Sequence, residues 1–307
     1  MKISVCIPVY NGALTIARLV DEVEKQLKEY DLEVMLVNDG SPDNSEEVCE
    51  QISQKKPYVK FISLRKNFGE NNAVMCALNF ATGDYVAIID DDFQNPPSEI
   101  VKLIHAAIAK DYDVVYAKYA SKKHHWFRNI GSRFHNAMAD MLLDKPRGLY
   151  LSTFKLIKRE VVSEIVRYQG PSPFIDGLIL RVTNHLGSVQ VEHRDRAEGT
   201  SNYTLGKLVE IWLNMFINFS IKPLRAMMFL GFFFSIVGFL ASIYFVIEKL
   251  FLNPDMPVGF ATLIITILIL SGIQLIFIGL LGEYVGKHYL QTNGTPQWVI
   301  KHKSFDE

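Results

Sequence analysis

Three carboxylates stand in a row in the stretch "AIIDDDFQNPP", at Asp90, Asp91 and Asp92, directly behind an apolar run. Adjacent carboxylates repel one another, and an unpaired charge at the edge of a low-dielectric core is costly, so a cation is expected among them. Carboxylate oxygens suit Mg²⁺ or Mn²⁺, which also take oxygens from a diphosphate. We predict that Asp90 and Asp92 bind a divalent metal that arrives with a nucleotide.

The alternative for this acidic turn is a solvated loop or a helix cap. The preceding "YVAII" favours a functional site because it buries the approach to the turn, and the following "NPP" fixes a rigid exit. The chain has no Gly-rich phosphate loop, which counts against P-loop and dinucleotide chemistry.

Polar clusters follow each of the first four predicted strands. Apolar runs at 2–10, 32–39, 59–64, 84–90 and 113–117 predict strands, and helical patterns separate them. Strands that alternate with helices imply a mostly parallel sheet with helices on both faces and with ligands at the carboxyl ends of its strands. One crevice therefore collects the clusters, which are Tyr10-Asn11-Gly12, Asn38 to Ser41, Lys66 to Gly69 and Asp90 to Asp92.

Asp39 follows the second predicted strand, in "VNDGSPDNS". Its carboxylate can accept hydrogen bonds from a nucleobase N–H. An Asx-type turn through "NDGS" is the competing interpretation, and both can hold at once.

Composition narrows the class of protein. The chain has 307 residues and a formal net charge of −1, which gives no indication of a nucleic-acid partner. Cys6, Cys49 and Cys76 have no metal-type spacing and predict reduced core thiols in a cytosolic compartment. The N-terminal residues contain no signal-peptide pattern.

Two long runs without charge lie toward the C-terminal end, at 227–247 and 258–282. Each can cross a hydrocarbon layer about 30 Å thick as a helix. The connection between them carries one basic residue, whereas the flanks carry several, so both chain ends are predicted in the cytoplasm. The flanking residues are Lys222, Arg225, Lys287, Lys301 and Lys303. A buried helical hairpin in a soluble protein is the alternative.

Two further segments have patterns that bear on the membrane. Apolar residues from Leu205 to Phe219 share one helical face, which predicts either a helix in the membrane interface or a core helix packed on the preceding domain. The stretch 121–133 contains His124 and His125, but neighbouring histidines on a helix do not face one another. We expect a basic, aromatic loop near anionic headgroups there.

Several motifs together carry a resemblance that covers the whole chain in order. These are "SVCIPVYN", "VNDGSPDNS", "RKNFGENNAV", "ATGDYVAIIDDDFQNPP", "RAEGTSNY" and "GLLGEYVGKHY". The chain resembles the membrane-bound family 2 glycosyltransferases of the polyprenyl-phosphate type. This group includes dolichyl-phosphate mannose synthase, the bactoprenol glucosyltransferases and the aminoarabinose transferase of lipid A modification.

The resemblance implies a GT-A domain, Rossmann-like, that transfers sugar from a nucleotide-sugar to a lipid-linked phosphate with inversion at the anomeric carbon. It implies a nucleotide pocket lined by Pro8, Tyr10, Asn11, Asp39, Asn67, Asp90 and Asp91. It places the metal at Asp90 and Asp92, and Gln94 toward the acceptor. Arg196 and Ser201, with Tyr203, complete a motif expected near the acceptor phosphate, together with Lys155.

Two departures from the family pattern affect this assignment. Gly12 stands where the family usually has an acidic residue after "PVYN". In "LSTFKLI", Lys155 replaces an Arg, and Ser152-Thr153 replace a Gly-Asp pair, so a catalytic base assigned to that Asp cannot be carried over. Lys still counters a phosphate as a point charge but loses bidentate geometry.

We therefore expect a glycosyltransferase domain at 1–203, an amphipathic helix at 204–225, a transmembrane hairpin at 226–283 and a cytoplasmic tail at 284–307. The expected enzyme is a hexosyltransferase that uses a UDP-sugar, Mg²⁺ or Mn²⁺, and undecaprenyl phosphate at the cytoplasmic membrane face. Its product would serve cell-envelope glycan or lipopolysaccharide modification, and a homo-oligomer is consistent with the family. The alternatives are a processive polysaccharide synthase and a non-catalytic scaffold that binds nucleotide-sugars.

Overall fold

The computed structural model describes residues 1–119, 149–192, 222–248, 251 and 259–306. The chain forms two compact units. The first contains Met1–Tyr203 together with Asn293–Glu307, and the second contains Thr204–Thr292.

The first unit is built on eight strands with helices between them. The strands are β1 (Lys2–Val9), β2 (Asp31–Asn38), β3 (Val59–Leu64), β4 (Tyr85–Ile88), β5 (Val114–Tyr119), β6 (Lys155–Lys158), β7 (Leu186–Val191) and β8 (Ile300–Lys303). The helices are α1 (Ile16–Gln26), α2 (Ser45–Lys55), α3 (Glu70–Phe80), α4 (Ser98–Lys110), α5 (Arg159–Ile165) and α6 (Ile175–Val182).

All eight strands join one sheet in the order β7-β5-β6-β4-β1-β2-β3-β8. The pairs β1/β2, β1/β4, β2/β3 and β5/β7 are parallel. β6 is antiparallel to both β4 and β5, and β8 is antiparallel to β3. The predicted mostly parallel α/β sheet is confirmed, and the carboxyl ends of β1 to β4 meet at one edge as expected. No strand was predicted from the sequence at the positions of β6, β7 or β8.

The core explains why the central strands read as continuous apolar runs. β1 is buried along nearly its whole length because helices cover both faces of the sheet. α1 packs one face, formed by Ile16, Leu19, Val20 and Val23, into this core. Burial of each such side chain contributes about 1.5–3 kcal/mol.

The cysteines behave as predicted. All three are free thiols buried in the first unit. Burial raises the pKa of Cys49 and of Cys76 to about 12, so neither thiol is ionised at neutral pH.

β8 closes the β3 edge of the sheet with residues from the end of the chain. The Arg65 N–H donates to the Val299 carbonyl at 2.9 Å, which extends the pairing toward the β3–α3 loop. The Ser304 hydroxyl accepts the Phe61 N–H at 2.9 Å. Phe305 packs edge-on against Phe80 of α3, with ring centroids 5.7 Å apart.

The second unit contains two helices, α7 (Lys222–Ile247) and α8 (Phe260–Thr292). Large apolar side chains of α7 are exposed; Phe229, Phe232 and Phe239 each have about two-thirds of their surface free. Among the described residues, no helix meets the combined length and hydropathy requirements of a membrane span. The spans at 227–247 and 258–282 stay a prediction. The stretches 204–221 and 121–133 lie outside the described residues.

A buried carboxylate ties three strands together at the opposite end of the sheet. Glu33 of β2 is 3 % exposed and accepts hydrogen bonds from the Ser4 hydroxyl and from the N–H and hydroxyl of Thr82. The Lys60 ammonium lies 2.8 Å from its Oε1. Burial opposes ionisation, but Lys60, Ser4 and Thr82 outweigh it and lower the pKa of Glu33 to about 2.

We expect Glu33→Ala to lower the free energy of unfolding by about 3 kcal/mol, because it leaves the partly exposed Lys60 ammonium and three hydrogen-bond donors without their acceptor. A carboxyl whose folded pKa is lowered contributes stability above its unfolded pKa of about 4.3 and loses it as the pH falls toward 2. Urea titrations of parent and variant from pH 7 to pH 2 should therefore converge at the acid end. The exposed Glu29 provides the control, since Glu29→Gln should leave stability unchanged at every pH; a constant difference between Glu33→Ala and the parent would contradict the assignment.

Candidate active site

The acidic residues form a tight turn directly after β4. Asp92 Oδ1 accepts the N–H of Gln94 at 3.1 Å, which closes an Asx-type turn. Phe93, between them, has a left-handed φ of +59°, an uncommon conformation for a bulky residue. The Arg18 guanidinium lies 4.5 Å from the centroid of the Phe93 ring and holds that ring in place. The turn is therefore a built feature and not a loosely solvated loop.

Asp90 is bound from the segment just before β6. Its Oδ2 accepts the Thr153 hydroxyl at 2.9 Å, so one of the residues that depart from the family pattern contacts the acidic turn directly. Burial, followed by the charges of Glu70 and Asp92, raises the pKa of Asp90 to about 7, while Thr153 and Lys155 oppose the shift. The carboxylate thus lies where negative charge is in excess.

Asp91 is bound from the first loop. Its Oδ2 accepts the Tyr10 N–H at 3.1 Å. Burial raises the pKa of Asp91 to about 7; the Tyr10 N–H opposes this shift, whereas the charges of Asp90 and Asp92 add to it. Two neighbouring carboxyls with raised pKa values indicate that the turn favours a cation.

The backbone N–H groups of the β1–α1 loop form hydrogen bonds within the protein. The N–H groups of residues 10 to 13 each donate to a side-chain oxygen. In chain order the acceptors are Asp91 Oδ2 at 3.1 Å, Ser41 Oγ at 3.2 Å, Ser45 Oγ at 3.0 Å and Asp43 Oδ2 at 3.3 Å. This loop therefore does not present a cradle of N–H groups to a phosphate, in agreement with the missing Gly-rich motif.

Asp39 joins the second loop to the third. Its two oxygens accept the N–H groups of Phe68 at 2.7 Å and Gly69 at 2.8 Å. The Asx-type turn in "NDGS" is formed by Asn38, whose Oδ1 accepts the Ser41 N–H at 3.3 Å. Burial raises the pKa of Asp39, and the two N–H donors oppose this shift. The contact of Asp39 with a nucleobase stays a prediction.

Lys155 lies in a buried ion pair. It is the first residue of β6, opposite Ile88 at the end of β4, and is 3 % exposed. Its ammonium donates to Asp176 Oδ1 and lies 5.2 Å from the centroid of the Tyr116 ring. The Tyr116 hydroxyl donates to the same oxygen at 3.1 Å. Lys155 therefore affects the acidic turn through its charge, and its contact with an acceptor phosphate stays a prediction.

Two residues of the crevice were not identified from the sequence. Glu70 opens α3, and its carboxyl acts on Asp90 through its charge. Loss of solvation raises the pKa of Glu70; Lys155 opposes this, and Asp91 and Asp92 add to it. Asn95 is 2 % exposed, and its Oδ1 has no hydrogen-bond partner among the described residues. Acidic residues are common at the start of helices, so the position of Glu70 alone did not indicate a functional role.

The remaining predicted residues divide into two groups. Pro8 is buried in β1 opposite Val37 of β2, and Asn67 is exposed in the β3–α3 loop. Tyr10 is 48 % exposed at the end of β1. The other group, Arg196, Ser201 and Tyr203, lies outside the described residues.

The donor set of the turn fits a hard divalent cation that brings ligands of its own. Asp90 and Asp92 supply carboxylate oxygens, and the unpartnered Asn95 Oδ1 adds a neutral one nearby in the chain. Among the residues that the structure describes, no three His, Cys, Asp or Glu side chains are placed to hold a metal ion. An incomplete protein site of this kind suits an ion that takes its remaining ligands from a diphosphate.

Comparison with known proteins identifies the family. The model of the glycosyl transferase family 2 matches residues 4–166, more than half of the chain. The chain belongs to glycosyl transferase family 2. The enzyme also matches the GtrB C-terminal hairpin at residues 222–287, which contains α7 and most of α8. The expected glycosyltransferase and its C-terminal hairpin are thereby confirmed.

Curated relatives of this glycosyltransferase match along nearly its full length. Undecaprenyl-phosphate 4-deoxy-4-formamido-L-arabinose transferase from Proteus mirabilis is 31 % identical over 304 residues, which cover 98 % of this chain and 93 % of the relative. The protein of the same name from Yersinia pestis is 30 % identical over the same shares.

Solved structures confirm the GT-A fold of the glycosyltransferase unit. Glucosyl-3-phosphoglycerate synthase from Mycobacterium tuberculosis, in complex with Mn²⁺, UDP and glucosyl-3-phosphoglycerate, superposes with a TM-score of 0.54 at 16 % identity. The match covers 71 % of this chain and 80 % of that chain. The complex of the same enzyme with Mn²⁺, UDP-glucose and phosphoglyceric acid superposes with a TM-score of 0.53 at 17 % identity. This match covers 71 % of this chain and 79 % of that chain.

Gly40 controls how closely the second and third loops approach. It has a left-handed φ of +63°, and a Cβ there would lie 2.4 Å from the Lys66 carbonyl carbon. Gly69 is the natural control because its φ is +96° but nothing lies within 4 Å of a Cβ.

We expect Gly69→Ala to cost about 1–2 kcal/mol of unfolding free energy through backbone strain alone. Gly40→Ala should cost more than about 3 kcal/mol, because the backbone of the neighbouring loop must also move. Urea denaturation of the two variants measures the difference, and equal losses would show that the loops are not in close contact.

Proposed function

We propose that the enzyme transfers one sugar from a UDP-sugar to undecaprenyl phosphate, with inversion, at the cytoplasmic face of the membrane, for cell-envelope glycan or lipopolysaccharide modification. The observation that carries this proposal is the full-length match to relatives named as undecaprenyl-phosphate sugar transferases, hairpin included. The acidic turn at the carboxyl edge of the sheet supports it, because this edge is where parallel α/β sheets bind ligands.

The donor binds along the carboxyl ends of β1 to β4. Tyr10, Asn11 and Asn67 surround the nucleoside, and Asp39 fixes the loop that carries Asn67. Asp90 and Asp92 would hold Mg²⁺ or Mn²⁺, which would supply positive charge to the departing diphosphate. The complexes of the structural neighbour with Mn²⁺ and UDP support this choice of donor and ion. Thr153 orients the Asp90 carboxylate through its hydroxyl.

The acceptor phosphate needs positioning more than deprotonation. A phosphate monoester has its second pKa near 6, so it is mostly dianionic and nucleophilic at neutral pH. Arg196 and Ser201 bind it, and Gln94 faces it from the acidic turn. Lys155, in its ion pair with Asp176, supplies positive charge beside Asp90. Attack on the anomeric carbon and loss of the nucleotide in one displacement give inversion without a dedicated base.

The hairpin of α7 and α8 anchors the enzyme in the bilayer, with the glycosyltransferase unit and both chain ends on the cytoplasmic side. The match to the GtrB hairpin and the exposed phenylalanines of α7 support this placement. Insertion near the bilayer brings the site to a lipid acceptor that does not leave the membrane.

The test is transfer to lipid. Membranes that contain the protein are incubated with undecaprenyl phosphate, Mg²⁺ or Mn²⁺, and a panel of labelled UDP- and GDP-linked sugars that includes hexoses and 4-amino-4-deoxy-arabinose derivatives. We expect label from one UDP-sugar in the lipid fraction, released as a single sugar. No label with any donor would overturn the proposal, and a growing chain of sugars would favour a processive synthase.

Substitution of the metal ligand gives a second prediction. We expect Asp92→Asn to reduce kcat at least about a hundredfold, because an amide holds the divalent ion more weakly than a carboxylate while the leaving diphosphate still needs it. The exposed Asp31 at the start of β2 supplies the control, since Asp31→Asn leaves the site untouched. Transfer by Asp92→Asn at the parent rate, from membranes with equal amounts of protein, would remove Asp92 from the metal site.

A further inference from the structure

The space above Gly12 is filled by the Asp91 carboxylate. A Cβ on Gly12 would lie 2.4 Å from Asp91 Oδ2 and 3.2 Å from its Cγ, far inside contact distance. Val9 Cγ1, at 3.1 Å, is the other near atom. Gly12 has no left-handed φ, so the backbone itself would accept any residue. The position of the Asp91 carboxylate is therefore what disfavours a side chain at residue 12.

The backbone of Gly12 cannot move to relieve such a clash cheaply. Its N–H donates to Ser45 Oγ at 3.0 Å, and its carbonyl accepts the N–H groups of Thr15 and Ile16, both at 3.0 Å, at the start of α1. The Asp91 carboxylate, by contrast, is the end of a flexible side chain. A side chain at position 12 would thus displace the carboxylate and break its hydrogen bond with the Tyr10 N–H.

Tyr10 is the residue that this bond holds. It directly precedes Asn11, which has a left-handed φ of +58°. Tyr10 is about half exposed at the carboxyl edge of the sheet. The N–H groups of residues 11 to 13 are bound by side chains from 41 to 45, whereas that of Tyr10 is bound by Asp91 alone. Asp91 is therefore the link between the acidic turn and the exposed ring.

We propose that Asp91 is a positioning residue for the nucleoside: it fixes Tyr10 through the Tyr10 N–H, and Gly12 leaves the room that its carboxylate needs. This inference rests on the proposed nucleotide-sugar donor. It assigns to Asp91 the role of a hydrogen-bond acceptor, in contrast to the metal-binding role of Asp90 and Asp92, and it makes positions 12 and 91 a coupled pair.

The test is a double-mutant cycle on the full chain in detergent, with the Kd of UDP in the presence of Mn²⁺ measured by calorimetry. Gly12→Ala and Asp91→Ala should each raise Kd about tenfold, because both break the same bond. The double variant should bind no more than about twofold more weakly than either single one, since the space is already vacated. Gly272→Ala, where nothing lies within 4 Å of a Cβ, is the matched control with parental affinity.

Two further measurements separate positioning from other roles. Asp91→Asn keeps an acceptor oxygen without the charge, so it should restore Kd to within about threefold of the parent. In transfer assays Gly12→Ala and Asp91→Ala should raise the donor KM while kcat changes less than about threefold. Thermal unfolding midpoints near that of the parent show that each variant is folded.

Several results would overturn the inference. These are parental UDP affinity in Gly12→Ala, losses that multiply in the double variant, or binding by Asp91→Asn as weak as by Asp91→Ala. If the parent transfers sugar but the substitutions at positions 12 and 91 affect UDP affinity independently, the inference is wrong and the proposed function holds. If the two substitutions are coupled in UDP binding but no sugar is transferred, the inference holds and the proposed function is wrong. A parent that does not bind UDP would refute both.

Discussion

Mutual repulsion among neighbouring carboxylates is the constraint around which the crevice is arranged. Asp90, Asp91 and Asp92 follow a buried strand, and each is bound by a different part of the chain. Thr153 binds the first, the backbone of Tyr10 binds the second, and the N–H of Gln94 binds the third. These bonds orient the three charges without neutralising them, because each donor is uncharged. The charge remains available for a cation, at a turn whose shape is already fixed before that cation binds.

The loops around the acidic turn are also held by hydrogen bonds within the protein. Backbone N–H groups that many nucleotide-binding folds offer to phosphate are used here to bind loops to one another. Asp39 adds the third loop to this assembly through two further N–H groups. In the proposed function, a divalent ion and basic side chains would therefore supply the positive charge that binds the diphosphate. The charge of the site is therefore concentrated in the acidic turn, whereas Gly12 and Gly40 allow the loops to pack closely.

The sequence predicted β1 to β4 well because each is an apolar run with a polar cluster at its end. It did not predict β6 or β8, since at least half of the residues in "KLIK" and "IKHK" are basic and read as exposed. Lys155 shows the same limit within the site. A lone lysine in a short motif predicts a surface charge, and its burial depends on Asp176, which is distant in sequence and follows no motif. Gly12 likewise appeared in the sequence as the loss of an acidic residue. In the structure, the Asp91 carboxylate from another loop fills the space beside Gly12.

The eighth strand gives the glycosyltransferase unit an unusual order of assembly. Residues 300–303 leave the ribosome after α7 and α8, yet they pair with β3, which is made well before those helices. During synthesis the sheet therefore waits with an open edge of unpaired amides and carbonyls while α7 and α8 are made. The glycosyltransferase unit is thus complete only after α7 and α8 have been made, because residues 299–303 finish both the sheet and the support of the β3–α3 loop.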